Sequence, residues 1–199
     1  MSTSPTDTPG ASLDAALAPI RDALETAGGP ERAVLLRRAG DLCVRMDEPR
    51  KALAWLGRAV DQHLELEEPD EAAAVCREII RVQPDAVRAR CTLTWIALGA
   101  GREADAARLL NEYVDSARQA GQTTIAAQQL GWMFEASQSE SIRARVVVGL
   151  LKLGEAKQAD TLAAELAGAP LTDAVPQDRD ELWARVLQAA VGIPARNRK

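Results

Sequence analysis

The sequence contains a single histidine, His63, and only 3% aromatic residues. One histidine excludes a metal site built on a histidine pair. Its acidic neighbours Asp61, Glu65 and Glu67 occupy alternate positions, which do not face one another on a helix. We therefore interpret His63 as part of a solvated helix surface, and we expect no metal site and no cofactor.

Cysteines are also few, and their spacing is not that of a redox or zinc motif. The three residues, Cys43, Cys76 and Cys91, lack a C-x-x-C arrangement, and each lies in a helical pattern. This indicates buried free thiols in a reducing compartment. A dyad of His63 with Cys43 or Cys76 is geometrically conceivable, but nothing near these thiols indicates a lowered pKa.

No stretch provides a phosphate-binding loop or a catalytic set. The segment "LGAGREAD" joins two helices without a preceding strand, so its glycines are interpreted as helix ends. Acidic pairs such as Asp70 and Glu71 stand at helix starts, where the helix dipole favours negative charge. We therefore expect no catalytic residues and a protein that is not an enzyme.

An excess of positive charge, a signal peptide and a membrane-length apolar run are all missing. The net charge is −5 and the pI about 5.1, which argues against nucleic-acid binding and against anionic membranes. The stretch "MSTSPTDTPGAS" has neither a basic start nor an apolar core. We expect a disordered tail over 1–11, a basic tail over 193–199, no membrane span and a cytoplasmic location.

What the sequence does contain is alanine and helical periodicity. Hydrophobic residues make up 47% of the chain, and much of that share is alanine, the best helix former. The stretch "EEPDEAAAVCREIIRVQPD" (67–85) has acidic residues at its start, an apolar face at 3/4 spacing and a terminal proline. The whole chain predicts an all-α protein with one helical domain over 12–192.

Ten helices follow from such starts and stops. The first begins at Ser12, and Pro19 within it is expected to kink or shorten it. The next six are predicted over about 31–46, 50–66, 69–83, 85–98, 102–120 and 123–137. The eighth is capped by the segment 137–141 and runs to 153, the ninth lies in 153–168, and the tenth lies in 179–192. Connections this short make neighbouring helices antiparallel, which leaves a compact bundle or a stack of hairpins.

Small and large residues recur at fixed offsets along the chain. They include Ala72, Cys76, Ile79 and Pro84; Ala106, Leu110 and Tyr113; Leu130, Gly131 and Phe134; and a fainter set, Leu93, Thr94 and Ala97. In this pattern the chain resembles the tetratricopeptide-repeat family, with units near 53–86, 87–120 and 124–157. Arg143 departs from it, since the family has a small residue there. An alternative phase starting near 33 or 140 fits almost as well.

The resemblance implies a right-handed α-solenoid of about five antiparallel hairpins whose first helices line a concave groove. It places Trp95 and Trp132 at the same position of successive units, facing that groove. The expected groove residues are Asp61, Arg88, Cys91, Trp95, Gln128, Trp132 and Glu135. The alternative is that both indoles fill the core. The paired lysine and asparagine with which the family binds acidic tails have no match here.

These features predict a non-catalytic interaction module, an adaptor, scaffold or assembly factor that binds a peptide or amphipathic helix of another protein. The alternative is a regulatory or ligand-sensing subunit whose helices cover an enzyme or close over a small molecule. The last helix carries an apolar face, which would form a homodimer contact if the preceding hairpin leaves it uncovered: Leu182, Trp183, Val186, Leu187 and Val191.

Overall fold

A computed structural model describes residues 9–168, with side chains from residue 13 onward. Within that part the chain is entirely helical, with nine α-helices and no strand. They are α1 (Pro9–Thr26), α2 (Gly29–Arg45), α3 (Pro49–Glu65), α4 (Pro69–Val82), α5 (Val87–Gly99), α6 (Glu103–Gln119), α7 (Thr123–Ala136), α8 (Glu140–Lys152) and α9 (Ala156–Leu166). The predicted tenth helix, its homodimer face and the basic tail over 193–199 lie outside the described residues.

The all-α prediction is confirmed for the described part, and most helix ends fall within two residues of those predicted. The exception is α1, which begins at Pro9 rather than Ser12 and continues through Pro19 to Thr26. Pro19 therefore does not shorten this helix. The predicted disordered tail overlaps the start of α1, and the rest of that tail lies outside the described residues.

Local sequence features account for the positions at which these helices begin. Pro49 and Pro69 stand at the first positions of α3 and α4, where a missing N–H removes no helical hydrogen bond. In α4 the predicted apolar face is buried at Ala72, Val75 and Cys76. These ends leave amphipathic helices joined by short loops.

One turn geometry joins most of the helices. A residue with positive φ follows α2, α3, α5, α6 and α8, and the next N–H returns to a carbonyl in the last turn of the preceding helix. The positive-φ residues are Asp47, Glu67, Gly101, Gly121 and Gly154. This arrangement is the Schellman helix end, which is usually filled by glycine. The interval from Asp47 to Glu67 equals that from Gly101 to Gly121, so the turn recurs in the same register.

The chain divides into two compact units, Met1–Ala89 and Arg90–Lys199. In the first unit α2 packs against α1 and α3, and α3 packs against α4. Gly40 of α2 lies so close to α3 that a Cβ built there would be 2.6 Å from Leu56 Cγ. Arg37 of α2 also binds Glu78 of α4, so next-but-one helices in this unit are in contact.

In the second unit α8 packs against α6, α7 and α9. A Cβ at Gly149 would be 3.0 Å from Val114 of α6 and 3.2 Å from Leu130 of α7, so both helices approach α8 closely at this glycine. Lys152 of α8 pairs with Asp115 of α6 across 3.6 Å. Here too, helices two places apart in the chain touch.

The contacts of Arg143 account for an arginine at a position where the repeat pattern has a small residue. Its Nε donates to the carbonyl oxygens of Phe134 and Ser137, at 3.1 and 2.9 Å. Its guanidinium carbon also lies 4.7 Å from the centre of the Phe134 ring. A small residue could not supply these bonds to the end of α7.

Among the described helices, none is both long enough and apolar enough to cross a membrane.

Candidate functional site

The predicted groove residues fall on α3, α5 and α7, and the two units hold different subsets of them. Asp61 and Arg88 belong to the first unit, where the Arg88 guanidinium binds the Asp61 carboxylate across 2.5 Å. Both side chains are substantially exposed. The second unit holds Cys91 and Trp95 on α5, with Gln128, Trp132 and Glu135 on α7.

Gln129, which was not among the predicted groove residues, links α5 to α7. The Gln129 side-chain oxygen accepts a hydrogen bond from the Trp95 indole nitrogen at 2.9 Å. It also accepts one from the Cys91 thiol, with a sulphur–oxygen distance of 3.6 Å. Gln128 and Gln129 are adjacent and of the same residue type. The sequence therefore could not predict which of the two side chains points toward α5.

The Cys91 thiol is half-buried and does not have the properties of a nucleophile. Burial raises its pKa, and hydrogen bonds with Tyr113 and Trp95 oppose that rise only in part. Burial likewise raises the pKa of Cys43, and raises that of Cys76 to about 12. Since the thiolate is the reactive form, burial disfavours reaction at these thiols. The predicted burial is confirmed for Cys43 and Cys76, and all three thiols are free.

The two tryptophans differ in environment. Trp132 leaves 47% of its surface exposed, whereas Trp95 is half-buried and hydrogen-bonded. On the opposite side of α7, Leu130 and Phe134 are fully buried. Trp132 is therefore a surface residue, and Trp95 belongs to the packing between α5 and α7.

The exposed side of α7 forms a continuous stripe, which we call the α7 face: Ile125, Gln128, Trp132 and Glu135. Ile125 is 61% exposed, and Gln128 and Glu135 are also exposed. These positions follow one another at intervals of three and four, so they share one side of the helix. Ile125 and Trp132 are the two large apolar side chains that this stripe exposes.

A cavity of about 360 Å³ lies beside Trp95, at the ends of α5, α6, α7 and α8. Trp132 does not line it, so the two indoles do not share this cavity. The residues around the cavity are Trp95, Ala97, Leu98, Gly99, Gly101, Arg102, Glu103, Ala106, Ala136, Ser137, Gln138, Ser139 and Ile142. The lining is mainly apolar, with polar groups from the loop before α8.

The interpretation of His63 as a solvated residue is wrong. Its side chain is buried on the inner side of α3, and its Nδ1 lies 2.8 Å from a Glu68 carboxylate oxygen. The reason is the α3–α4 turn, which brings the start of α4 back over the last turn of α3. His63 thus fixes this turn. Its acidic partner lies five residues away and is not one of Asp61, Glu65 and Glu67, the neighbours named from the sequence.

Within residues 13–168 no cluster of three or more histidine, cysteine or acidic side chains could hold a metal ion. A comparison with protein-family models gives no match, and one with curated proteins finds none that is significantly similar.

Proposed function

We propose that this protein is a non-catalytic interaction module that binds a peptide or amphipathic helix of another protein on the α7 face. The observation that carries the proposal is the exposure of Ile125 and Trp132 on one stripe of α7. Tryptophan is enriched among the residues that dominate binding energy at interfaces. A partner that covers this stripe removes apolar surface from water, which favours binding.

We further propose that the helices form a solenoid of hairpins like that of tetratricopeptide repeats. Three features support it: the recurring helix end, the short connections and the contacts between next-but-one helices within each unit. Each hairpin of such a stack buries its apolar face only against its neighbours. In this arrangement α5 and α7 are successive first helices, and the proposed groove follows them.

The test is affinity capture with two matched double variants. Ile125→Ala/Trp132→Ala removes the apolar side chains of the α7 face. Val34→Ala/Val44→Ala removes two apolar side chains of α2 that are exposed to a similar degree, 62% and 44%. We expect the α7 variant alone to lose partners that the wild type retains, while its thermal melt stays cooperative. Equal retention by both variants would refute the α7 face as the binding surface.

A second candidate function is ligand sensing, favoured by the cavity beside Trp95. It opens next to the half-buried indole and a loop with three polar side chains, Ser137, Gln138 and Ser139, which could orient a small molecule. Thermal-shift screening with a metabolite library tests this function. A true ligand should raise the melting temperature of the wild type but not of Ala136→Phe, which fills the rim. If no compound separates the two proteins, this candidate is rejected.

A further inference from the structure

We propose that the partner segment is basic and amphipathic, with a lysine or arginine that sits on the Trp132 indole beside Glu135 and an apolar residue that covers Ile125. This inference rests on the proposed function and adds to it the chemistry of the partner. It follows from the arrangement of charge and apolar surface on the α7 face.

Glu135 lies one turn after Trp132 on the same side of α7, so a group resting on the exposed indole also lies close to the carboxylate. A cation at this position meets two attractive groups at once. The face of an indole attracts cations electrostatically, and the carboxylate adds a direct ion pair.

The Glu135 carboxylate has no ion-pair partner among the described residues. Other acidic groups of the chain differ in this respect. Glu112 binds Arg90 at 2.8 Å and Arg108 at 2.6 Å, and Asp115 binds Lys152 at 3.6 Å. Pairing Glu135 with an outside group therefore breaks no ion pair within residues 13–168.

The surroundings on α7 carry no positive charge. Between Thr123 and Ala136, Glu135 is the one ionised side chain, and the rest of the exposed side is apolar or neutral. On α7 itself, an acidic segment would find no basic side chain to pair with and would be repelled by Glu135. The net charge of −5 acts in the same direction at long range, since it draws basic partners toward the protein.

The chain itself uses the pairing that we propose. On α3, the Arg58 guanidinium carbon lies 4.9 Å from the centre of the Trp55 ring, three positions away. Trp132 has the same type of ring and greater accessibility, but no basic residue on its own helix. A partner would supply the missing cation.

The experiment is a selection from a displayed library of random 16-residue peptides on the full-length protein. Counter-selection against Trp132→Ala removes peptides that bind elsewhere. We expect the surviving peptides to contain lysine or arginine within one helical turn of leucine, isoleucine or phenylalanine. Their affinity, measured by fluorescence anisotropy, should fall about tenfold or more with Trp132→Ala, which removes both the apolar contact and the cation–π contact.

A charge-reversal pair then isolates the role of Glu135. Glu135→Lys should weaken the selected peptides about five- to tenfold at 0.15 M salt and by less at 0.5 M, because salt screens surface charge. Glu25→Lys makes the same change of net charge on α1, where Glu25 is exposed, and should leave affinity nearly unchanged. Equal weakening by the two variants would overturn the assignment of the basic group to Glu135.

The outcomes separate the two proposals. If the selected peptides depend on Trp132 but lack basic residues, the partner chemistry is wrong while the α7 face remains a binding surface. If no peptide survives counter-selection, both the inference and the proposed function are refuted for this face.

Discussion

Replacing Gly40 with alanine is the most sensitive probe of the hairpin formed by α2 and α3. A Cβ at this position would lie 2.6 Å from both Cγ and Cδ2 of Leu56, and 3.4 Å from the Leu56 backbone nitrogen. Leu56 is only 1% exposed, so its side chain cannot swing out into solvent. The extra methyl group must therefore push the two helices apart or force Leu56 from its rotamer.

Two opposing free-energy terms determine how much Gly40→Ala changes the stability of the protein. Overpacking a close contact costs about 1–3 kcal/mol, and here the methyl meets two carbons. Alanine in a helix interior gains about 1 kcal/mol over glycine. We therefore expect Gly40→Ala to lower the free energy of unfolding by up to about 2 kcal/mol. Gly99→Ala at the end of α5 meets nothing within 4 Å and should raise it by up to about 1 kcal/mol.

Urea denaturation followed by circular dichroism measures both changes with linear extrapolation. A double-mutant cycle adds the decisive control, because Leu56→Ala should cost less in the Gly40→Ala background than in the wild type. If Gly40→Ala stabilises the protein as Gly99→Ala does, or if the two substitutions are additive, α2 and α3 do not approach each other as described.

Three further predictions concern the surface, a turn and a buried thiol. Phe134→Ala should cost about 3–5 kcal/mol of unfolding free energy, whereas Trp132→Ala should cost about 1 kcal/mol, because nearly half of its surface is already in water; equal losses in urea melts would place Trp132 in the core. Asp47→Gly should stabilise the protein by about 0.5–1 kcal/mol, because a φ of 56° disfavours any side chain, while Asp41→Gly inside α2 should give no gain; no difference between them would contradict the turn geometry. The pKa of Cys76 is raised to about 12 by burial, so the folded state holds its proton more tightly than the unfolded state. The stability due to this thiol is complete below about pH 9, near its ordinary pKa, and is lost as the pH rises toward 12, by about 3 kcal/mol at pH 11. Unfolding measured at pH 8 and 11 should show a steeper loss for wild type than for Cys76→Ala, and parallel losses would argue against burial of Cys76.

Helix positions could be predicted because their signals are local. Proline at helix starts, acidic first turns and apolar residues at 3/4 spacing act within one helix, and the ends of α2 to α7 agree with the structure to within two residues. The recurring turn was harder to predict at Asp47 and Glu67, because these side chains occupy a position where glycine is usual. Pro19 does not shorten α1, which continues beyond it to Thr26.

The candidate site could be predicted only in part. Sequence offsets matched Trp95 with Trp132, but they could not show that one indole is hydrogen-bonded to Gln129 while the other is exposed. That difference depends on contacts between helices two places apart in the chain. Ile125 was not among the predicted groove residues, because an isoleucine in a helical pattern is usually buried.

The central claim, that the α7 face binds a partner, is tested most directly by photo-cross-linking in cells of the native host. A photoreactive phenylalanine analogue replaces Gln128, which lies between Ile125 and Trp132, or in a control replaces Gln119, an exposed residue at the end of α6. Our account predicts a discrete cross-linked complex from position 128 alone, lost on adding Trp132→Ala and displaced by a selected basic peptide. Identical complexes from both positions, or a complex that persists through both challenges, would contradict it.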